Sequence, residues 1–176
     1  MLMNHESSVL LIVDLQERLM PVIADADDVL AHAVRLAQVA RIFSVPVTGT
    51  EQTPRKLGSN VEPIKTLCDL TVDKVHFDAS AEGRIGPLPA GRNHVVLAGC
   101  EAHVCVMQTA LGLVERGLQV WVVRDAVGSR KHADRDAALA RMRDEGIRIV
   151  TTEMVAFEWA RRGDTAEFRQ MLRLIK

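Results

Sequence analysis

Short, continuous runs of apolar residues place the strongest constraint on how this sequence folds. Residues 9–13 are apolar throughout and end at Asp14, and residues 95–98 are apolar and lead into Gly99. A strand that is apolar at every position is buried on both faces, which is typical of a parallel sheet covered by helices. Segments with helical periodicity, such as 27–43, separate the runs. The pattern predicts an α/β fold with right-handed crossovers.

The remaining elements follow the same alternation within one predicted domain, residues 1–176. Apolar or β-branched residues predict strands at 9–13, 45–50, 70–75, 95–98, 118–123 and 147–150. Helical spacing predicts helices at 27–43, 104–116, 133–145, 152–161 and from Asp164 or Thr165 to 174, with a weak helix at 62–68. Glycine and proline predict that 51–63 and 78–92 are mostly loop, and 125–131 is expected to be a connection.

Composition and charge narrow the class of function. The net charge of −1 provides no basic field for nucleic acid or an anionic membrane, and an aromatic content of 3% offers few stacking surfaces for bases. No apolar segment has the length of a signal peptide or a membrane span. The three cysteines, Cys68, Cys100 and Cys105, form no C-x-x-C pair. We expect a cytoplasmic protein with free thiols and with neither nucleic acid nor membrane as a partner.

Chemically capable side chains follow three of the predicted strands. Asp14 follows the first, Lys74 ends the third, and Cys105 lies just beyond the fourth. The carboxyl ends of parallel strands meet at one sheet edge. A thiol in the first turn of a helix feels the positive end of the helix dipole, which favours thiolate. Cys105 is thus the candidate nucleophile, with Lys74 to stabilise its charge and Asp14 to carry its proton.

Each of these residues also has a purely structural interpretation. Cys105 can be a small buried core residue, Asp14 a helix cap, and Lys74 a solvated charge at a strand end. A dyad of His76 and Cys105 is a further alternative, because His76 alternates with Lys74 along the strand. His103 can face the pocket mouth or solvent, and solvent is the preferred interpretation.

Four motifs, taken together and in order, resemble the isochorismatase-like cysteine hydrolases. They are Asp14 with Gln16, Thr50-Glu51-Gln52, Lys74-Val75-His76-Phe77 and the segment 99–106. Asp125-Ala126, Ser129-Arg130 and residues 168–176 are most similar to the branch called isochorismatase domain-containing proteins. The resemblance extends over residues 8–176 and implies a three-layer α/β/α, Rossmann-like fold with a six-stranded parallel sheet.

The resemblance also implies the composition of the active site. By position, Asp14, Lys74 and Cys105 form an Asp-Lys-Cys triad, and a cis peptide bond joins Cys100 to Glu101. The backbone N–H groups of Glu101 and Cys105 are then expected to form an oxyanion hole. The residues expected to contact the substrate are Gln16, Glu51, Phe77 and Ala102.

The implied reaction is acyl transfer from a small amide or related carbonyl compound through a cysteine acyl-enzyme. Relatives of the nicotinamidase type carry an Asp-x-His metal motif after the second strand, whereas residues 50–58 contain no histidine. We therefore expect no catalytic metal and no cofactor. The resemblance further implies a homo-oligomer, a dimer or tetramer, that binds a small-molecule substrate.

Three other functions are compatible with the same fold. Vinyl-ether hydrolysis of the isochorismate type relies on the acid more than on a thiol. A nucleotide-binding module would need a glycine-rich phosphate loop, and the sequence contains neither G-x-G-x-x-G nor a P-loop motif. A binding or assembly protein that has kept a hydrolase scaffold is the third.

Overall fold

Helices cover both faces of a single parallel sheet in the computed structural model, which describes residues 1–81, 83 and 88–175. The strands are β1 Ser8–Val13, β2 Val47–Gln52, β3 Leu70–Lys74, β4 His94–Cys100, β5 Gln119–Gly128 and β6 Arg148–Val150. Their order is β3-β2-β1-β4-β5-β6, and neighbouring strands are parallel. The order reverses direction between β1 and β4, where open α/β sheets place their ligand crevice. The predicted fold class is confirmed.

The helices divide between the two faces. They are α1 Ala26–Ile42, α2 Pro54–Leu57, α3 Glu62–Lys65, α4 Met107–Glu115, α5 His132–Asp144, α6 Thr152–Ala160 and α7 Ala166–Ile175. Helices α1, α6 and α7 pack on one face, and α4 and α5 pack on the other. Among the residues that the structure describes, no helix combines the length and the apolar character needed to cross a bilayer.

The core lies in two layers because successive side chains of a strand point to opposite faces. Leu10, Ile12, Val96 and Trp121 pack on the α1 face, and Leu11, Leu97 and Val122 pack on the α4 face. Burial of each large apolar side chain contributes about 1.5–3 kcal/mol. Both layers hold the central strands β1, β4 and β5 in register.

Strand β5 is longer than expected. Residues 125–131 were predicted to be a connection, but β5 extends to Gly128. The register with β4 shifts between Leu97 and Gly99, and pairing then resumes with Gly99 opposite Val127. Because this irregularity prolongs the strand, the residues after Gly128 lie beside the carboxyl end of β4.

Several other elements also differ from the sequence prediction. The helix expected from residue 104 begins with a π-helical turn, Ala102–Val106, and the loop expected at 51–63 contains the single-turn helices α2 and α3. The cap of α6 is Thr151, whose hydroxyl accepts from Met154 N, whereas Thr152 bonds to Asp125. Part of the loop predicted at 78–92, residues 82 and 84–87, lies outside the described residues.

Candidate active site

Asp14 turns the chain at the carboxyl end of β1. Its φ of 50° lies in the left-handed region, which Asp tolerates better than most residues. Its backbone N–H donates to Thr50 O at 3.2 Å, and the side chain is fully buried. The Thr50 hydroxyl donates to Asp14 Oδ1 at 2.7 Å. This carboxylate is held at the carboxyl end of β1, against the end of β2.

Lys74 reaches the same carboxylate from the end of β3. The Lys74 ammonium donates to Asp14 Oδ2 at 2.7 Å, and only 2% of the lysine is exposed. It also donates to Gln52 Oε1 at 2.6 Å. Two buried opposite charges satisfy each other, and removal of either one leaves the other unpaired.

Cys105 completes the cluster from the π-helical turn. Its side chain is buried and forms hydrogen bonds with the side chains of Asp14 and Lys74. Burial, and next the Asp14 carboxylate, raise the pKa of Cys105 to about 12, while the Lys74 ammonium lowers it. The expectation that a helix start would favour the thiolate is therefore wrong for the resting protein, because desolvation and the carboxylate outweigh the lysine.

Glu101 lies between β4 and the π-helical turn. The Cys100–Glu101 peptide bond is cis. The carbonyl of Glu101 accepts from the amides of Val104 and Val106. The Cys105 amide lies between these two donors, in the π-helical turn that follows Glu101.

Residues after β5 form hydrogen bonds to Glu101 and to His103 of the π-helical turn. The Glu101 carboxylate is buried, and its Oε2 accepts from Arg130 N at 2.9 Å and from Arg130 Nε at 3.1 Å. The ring of His103 was expected to face solvent. It is instead half-buried, with Nδ1 3.0 Å from the hydroxyl of the buried Ser129.

Two residues expected to contact substrate are occupied with the neighbouring loop. The Gln16 amide donates to Gln52 O at 3.1 Å and to Gly58 O at 2.6 Å, and it accepts from Gln52 N. Glu51 Oε1 accepts from the buried amide of Asn60 at 2.7 Å. These bonds hold residues 52–60 against the sheet. Substrate contacts at Gln16 and Glu51 stay predictions.

The other expected site residues differ in exposure. Ala102 is fully buried, whereas Phe77 is half exposed next to the strand that carries Lys74. His76 is exposed, and its carbonyl accepts from the Lys74 ammonium at 3.4 Å. Substrate contacts at Ala102 and Phe77 stay predictions, as does the His76–Cys105 alternative.

The sequence prediction missed two residues that contact Asp14 and Lys74, namely Thr50 and Gln52. Both belong to the Thr50-Glu51-Gln52 motif, of which only Glu51 was expected at the site. Side chains two apart on a strand share a face, so Thr50 and Gln52 face Asp14 and Lys74 while Glu51 faces Asn60. Strand alternation was the signal that separates them.

Comparison with known proteins agrees with the fold and the motifs. The family model described as Isochorismatase domain matches residues 8–154. The mouse protein named isochorismatase domain-containing protein 2A is 35% identical over 97% of this chain and 84% of its own length. The solved structure of a Caenorhabditis elegans protein described as MAR1 ribonuclease has a TM-score of 0.94 and 35% identity, covering 99% of this chain and 92% of that one. YcaC from Pseudomonas aeruginosa, solved with hexane-2,5-diol and covalent acrylamide, has a TM-score of 0.90 and 27% identity, with coverage of 98% and 91%. The chain belongs to the isochorismatase domain family and has the hydrolase fold of that family.

Proposed function

We propose that this protein is a cysteine hydrolase that acts on a small amide or related carbonyl compound through an acyl-enzyme on Cys105. The observation that carries the proposal is the buried contact of the Cys105 thiol with both Asp14 and Lys74. A buried ion pair in contact with a thiol is costly to assemble for stability alone. A thiol whose pKa is shifted by burial and by a specific charged neighbour is typical of catalytic sites.

The raised pKa of Cys105 fits a reaction in which the thiol loses its proton only as it attacks. The sulfur forms a bond to the carbonyl carbon while its proton passes to Asp14, and the carbonyl π electrons move onto oxygen. We assign the N–H groups of Glu101 and Cys105 to this oxyanion. Lys74 keeps its protons throughout and stabilises the negative charge that moves between sulfur and carboxylate.

The acyl-enzyme forms and breaks down with the same groups. As the tetrahedral intermediate collapses, the C–N bond breaks and Asp14 returns its proton to the leaving nitrogen. A water molecule then attacks the thioester, with Asp14 accepting its proton. The C–S bond breaks, the acid leaves, and the Cys105 thiol regains its proton.

A covalent adduct of acrylamide occurs in the structure of the Pseudomonas relative. Acrylamide alkylates nucleophiles at its terminal alkene carbon, so the adduct supports the idea that this fold presents a reactive nucleophile to small molecules. The C. elegans relative is described as a ribonuclease, which makes RNA a necessary comparison substrate. A net charge of −1 favours a small neutral or polar substrate over a polyanion.

The test is hydrolysis of a panel of small amides, vinyl ethers and RNA by the wild-type protein, with intact-mass detection of an acyl adduct. Cys105→Ala should abolish turnover and the adduct while the fold is retained, and Cys68→Ala is the matched control outside the triad. If Cys105→Ala still cleaves RNA, the proposal is overturned. If Cys105→Ala still cleaves vinyl ethers, the acid-dependent alternative is favoured. A folded protein with no turnover on any class would favour a binding or assembly role.

Assembly and location are proposed on the resemblance alone. We propose a homo-oligomer, a dimer or tetramer, in the cytoplasm. Multi-angle light scattering of the purified protein tests the first, and fractionation of cells tests the second.

A further inference from the structure

Gln52 is the direct neighbour of Lys74 in the sheet. The two residues are register partners of the adjacent strands β2 and β3. The Lys74 ammonium donates to Gln52 Oε1 at 2.6 Å, which is among the shortest contacts in the site. Because an ammonium only donates, it is the amide oxygen of Gln52 that faces it.

Gln52 is held both through its side-chain amide nitrogen and through its backbone. Its Nε2 donates to Val75 O at 2.8 Å, and its backbone N–H donates to Gln16 Oε1 at 2.8 Å. A side-chain amide anchored through its nitrogen cannot rotate without losing that bond. The oxygen of Gln52 is therefore a fixed acceptor rather than an adaptable one.

Asp14 and Gln52 together use two of the three N–H bonds of the Lys74 ammonium. The ammonium has three N–H bonds. One is used by Asp14 Oδ2 at 2.7 Å and one by Gln52 Oε1 at 2.6 Å. The third remains for the His76 carbonyl, 3.4 Å away, and for the Cys105 sulfur. With two N–H bonds fixed, the direction of the third is fixed as well.

We propose that Gln52 is a positioning residue that orients the Lys74 ammonium so that its third N–H bond is available to the Cys105 sulfur when the thiol gives its proton to Asp14. This inference rests on the proposed function of the triad. The charged groups that face the sulfur are Asp14 and Lys74, whereas Glu51, the neighbour of Gln52 on β2, is bound to Asn60. Gln52 thus acts through a charge that it does not itself supply.

The test measures the rate of Cys105 alkylation by iodoacetamide across a range of pH, with peptide mapping to separate Cys105 from Cys68 and Cys100. Gln52→Met keeps the length of the side chain and removes the acceptor. It should slow alkylation about tenfold, the scale of one lost hydrogen bond to a charged group. Gln38→Met, on the exposed face of α1, makes the same change far from the site and should have no effect.

Gln52→Glu separates orientation from simple structural support. Unlike methionine, glutamate at position 52 provides an acceptor for Lys74, but unlike the native glutamine it carries a negative charge. Alkylation should therefore approach the wild-type rate at high pH, with the whole profile displaced to higher pH. If Gln52→Met alkylates like wild type, or if Gln52→Glu and Gln52→Met behave alike, the inference is overturned.

A double-mutant cycle with Lys74→Met identifies the route of the effect. If Gln52 acts through Lys74, Gln52→Met should change nothing further once Lys74 is absent. An equal loss in both backgrounds would refute the inference. If alkylation depends on Lys74 but not on Gln52, this inference fails and the proposed function stands. If a folded Lys74→Met protein alkylates like wild type, it is the proposed triad that fails.

Discussion

The ammonium of Lys74 lies 2.7 Å from Asp14 Oδ2, although β2 separates their two strands in the sheet. The contact spans β2 because Asp14 leaves β1 in a left-handed turn and Lys74 is long enough to reach it. On β2, between these strands, the Thr50 hydroxyl donates to Asp14 and the Gln52 amide oxygen accepts from Lys74. The ion pair is thus part of the sheet edge rather than a chance surface contact.

Breaking this pair should destabilise the protein strongly. Lys74→Met leaves the Asp14 carboxylate buried without its counter-charge, which costs about 3–5 kcal/mol. Chemical denaturation monitored by circular dichroism measures the change. Lys65→Met, which removes an exposed ion pair with Glu62, should change stability by less than about 0.5 kcal/mol. Similar losses at both positions would contradict the assignment of Lys74 to a buried pair.

The Cys105 thiol should titrate at high pH in the absence of substrate. Its pKa in the folded protein is raised to about 12, above the ~8.5 of a free thiol. The folded state therefore holds this proton more tightly, so the stability it contributes is complete below pH ~8.5 and is lost as pH rises towards the folded pKa. Iodoacetamide alkylation of Cys105 should climb about tenfold per pH unit from pH ~8 to ~11. A plateau near or below the free-thiol pKa would show that the resting site holds a thiolate.

A methyl group at Gly112 on α4 should displace the side chains of Asp78 and Ser80. A Cβ built there would lie 2.3 Å from Asp78 Oδ2 and 2.8 Å from Ser80 Oγ. Although alanine is the better helix former, this overpacking should cost about 1–3 kcal/mol. Because residue 77 precedes the displaced turn, KM for any amide substrate should also rise. Thermal unfolding of Gly112→Ala beside Gln108→Ala, an exposed change on the same helix, tests the first point. A more stable Gly112→Ala protein would contradict it.

Arg130 should support catalysis through Glu101. Arg130→Lys keeps the positive charge but lacks the Nε–H that donates to Glu101 Oε2. The backbone N–H bond at 2.9 Å remains, so we expect a partial loss of kcat, about tenfold, with little change in KM. Steady-state kinetics on the amide found by the substrate panel measures this, with exposed Arg116→Lys as the control. A change confined to KM would instead assign Arg130 to substrate binding.

The sequence predicted that Asp14, Lys74 and Cys105 lie together because each ends or follows a predicted strand, and a parallel sheet brings such ends together. It did not predict the role of Gln52, because a motif names residues without giving the direction of each side chain. The same limit applies to Gln16 and Glu51, whose hydrogen bonds to the loop at 52–60 the sequence did not predict. The pKa of Cys105 depends on how completely α4 and the sheet exclude water, a quantity that only packing determines.

The strand that carries Lys74 is less well supported than the strands to which Asp14 and Cys105 are attached. β3 is the terminal strand of the order, is five residues long and has one buried residue, Lys74. Asp14 and Cys105, in contrast, are attached to β1 and β4 at the centre. Terminal strands with few buried contacts open at a lower free energy than the core does. The Lys74-dependent reactivity of Cys105 should therefore decrease at denaturant concentrations that leave the helical circular-dichroism signal intact. The activity of the site is then limited by the strand that unfolds first, not by the stability of the whole fold.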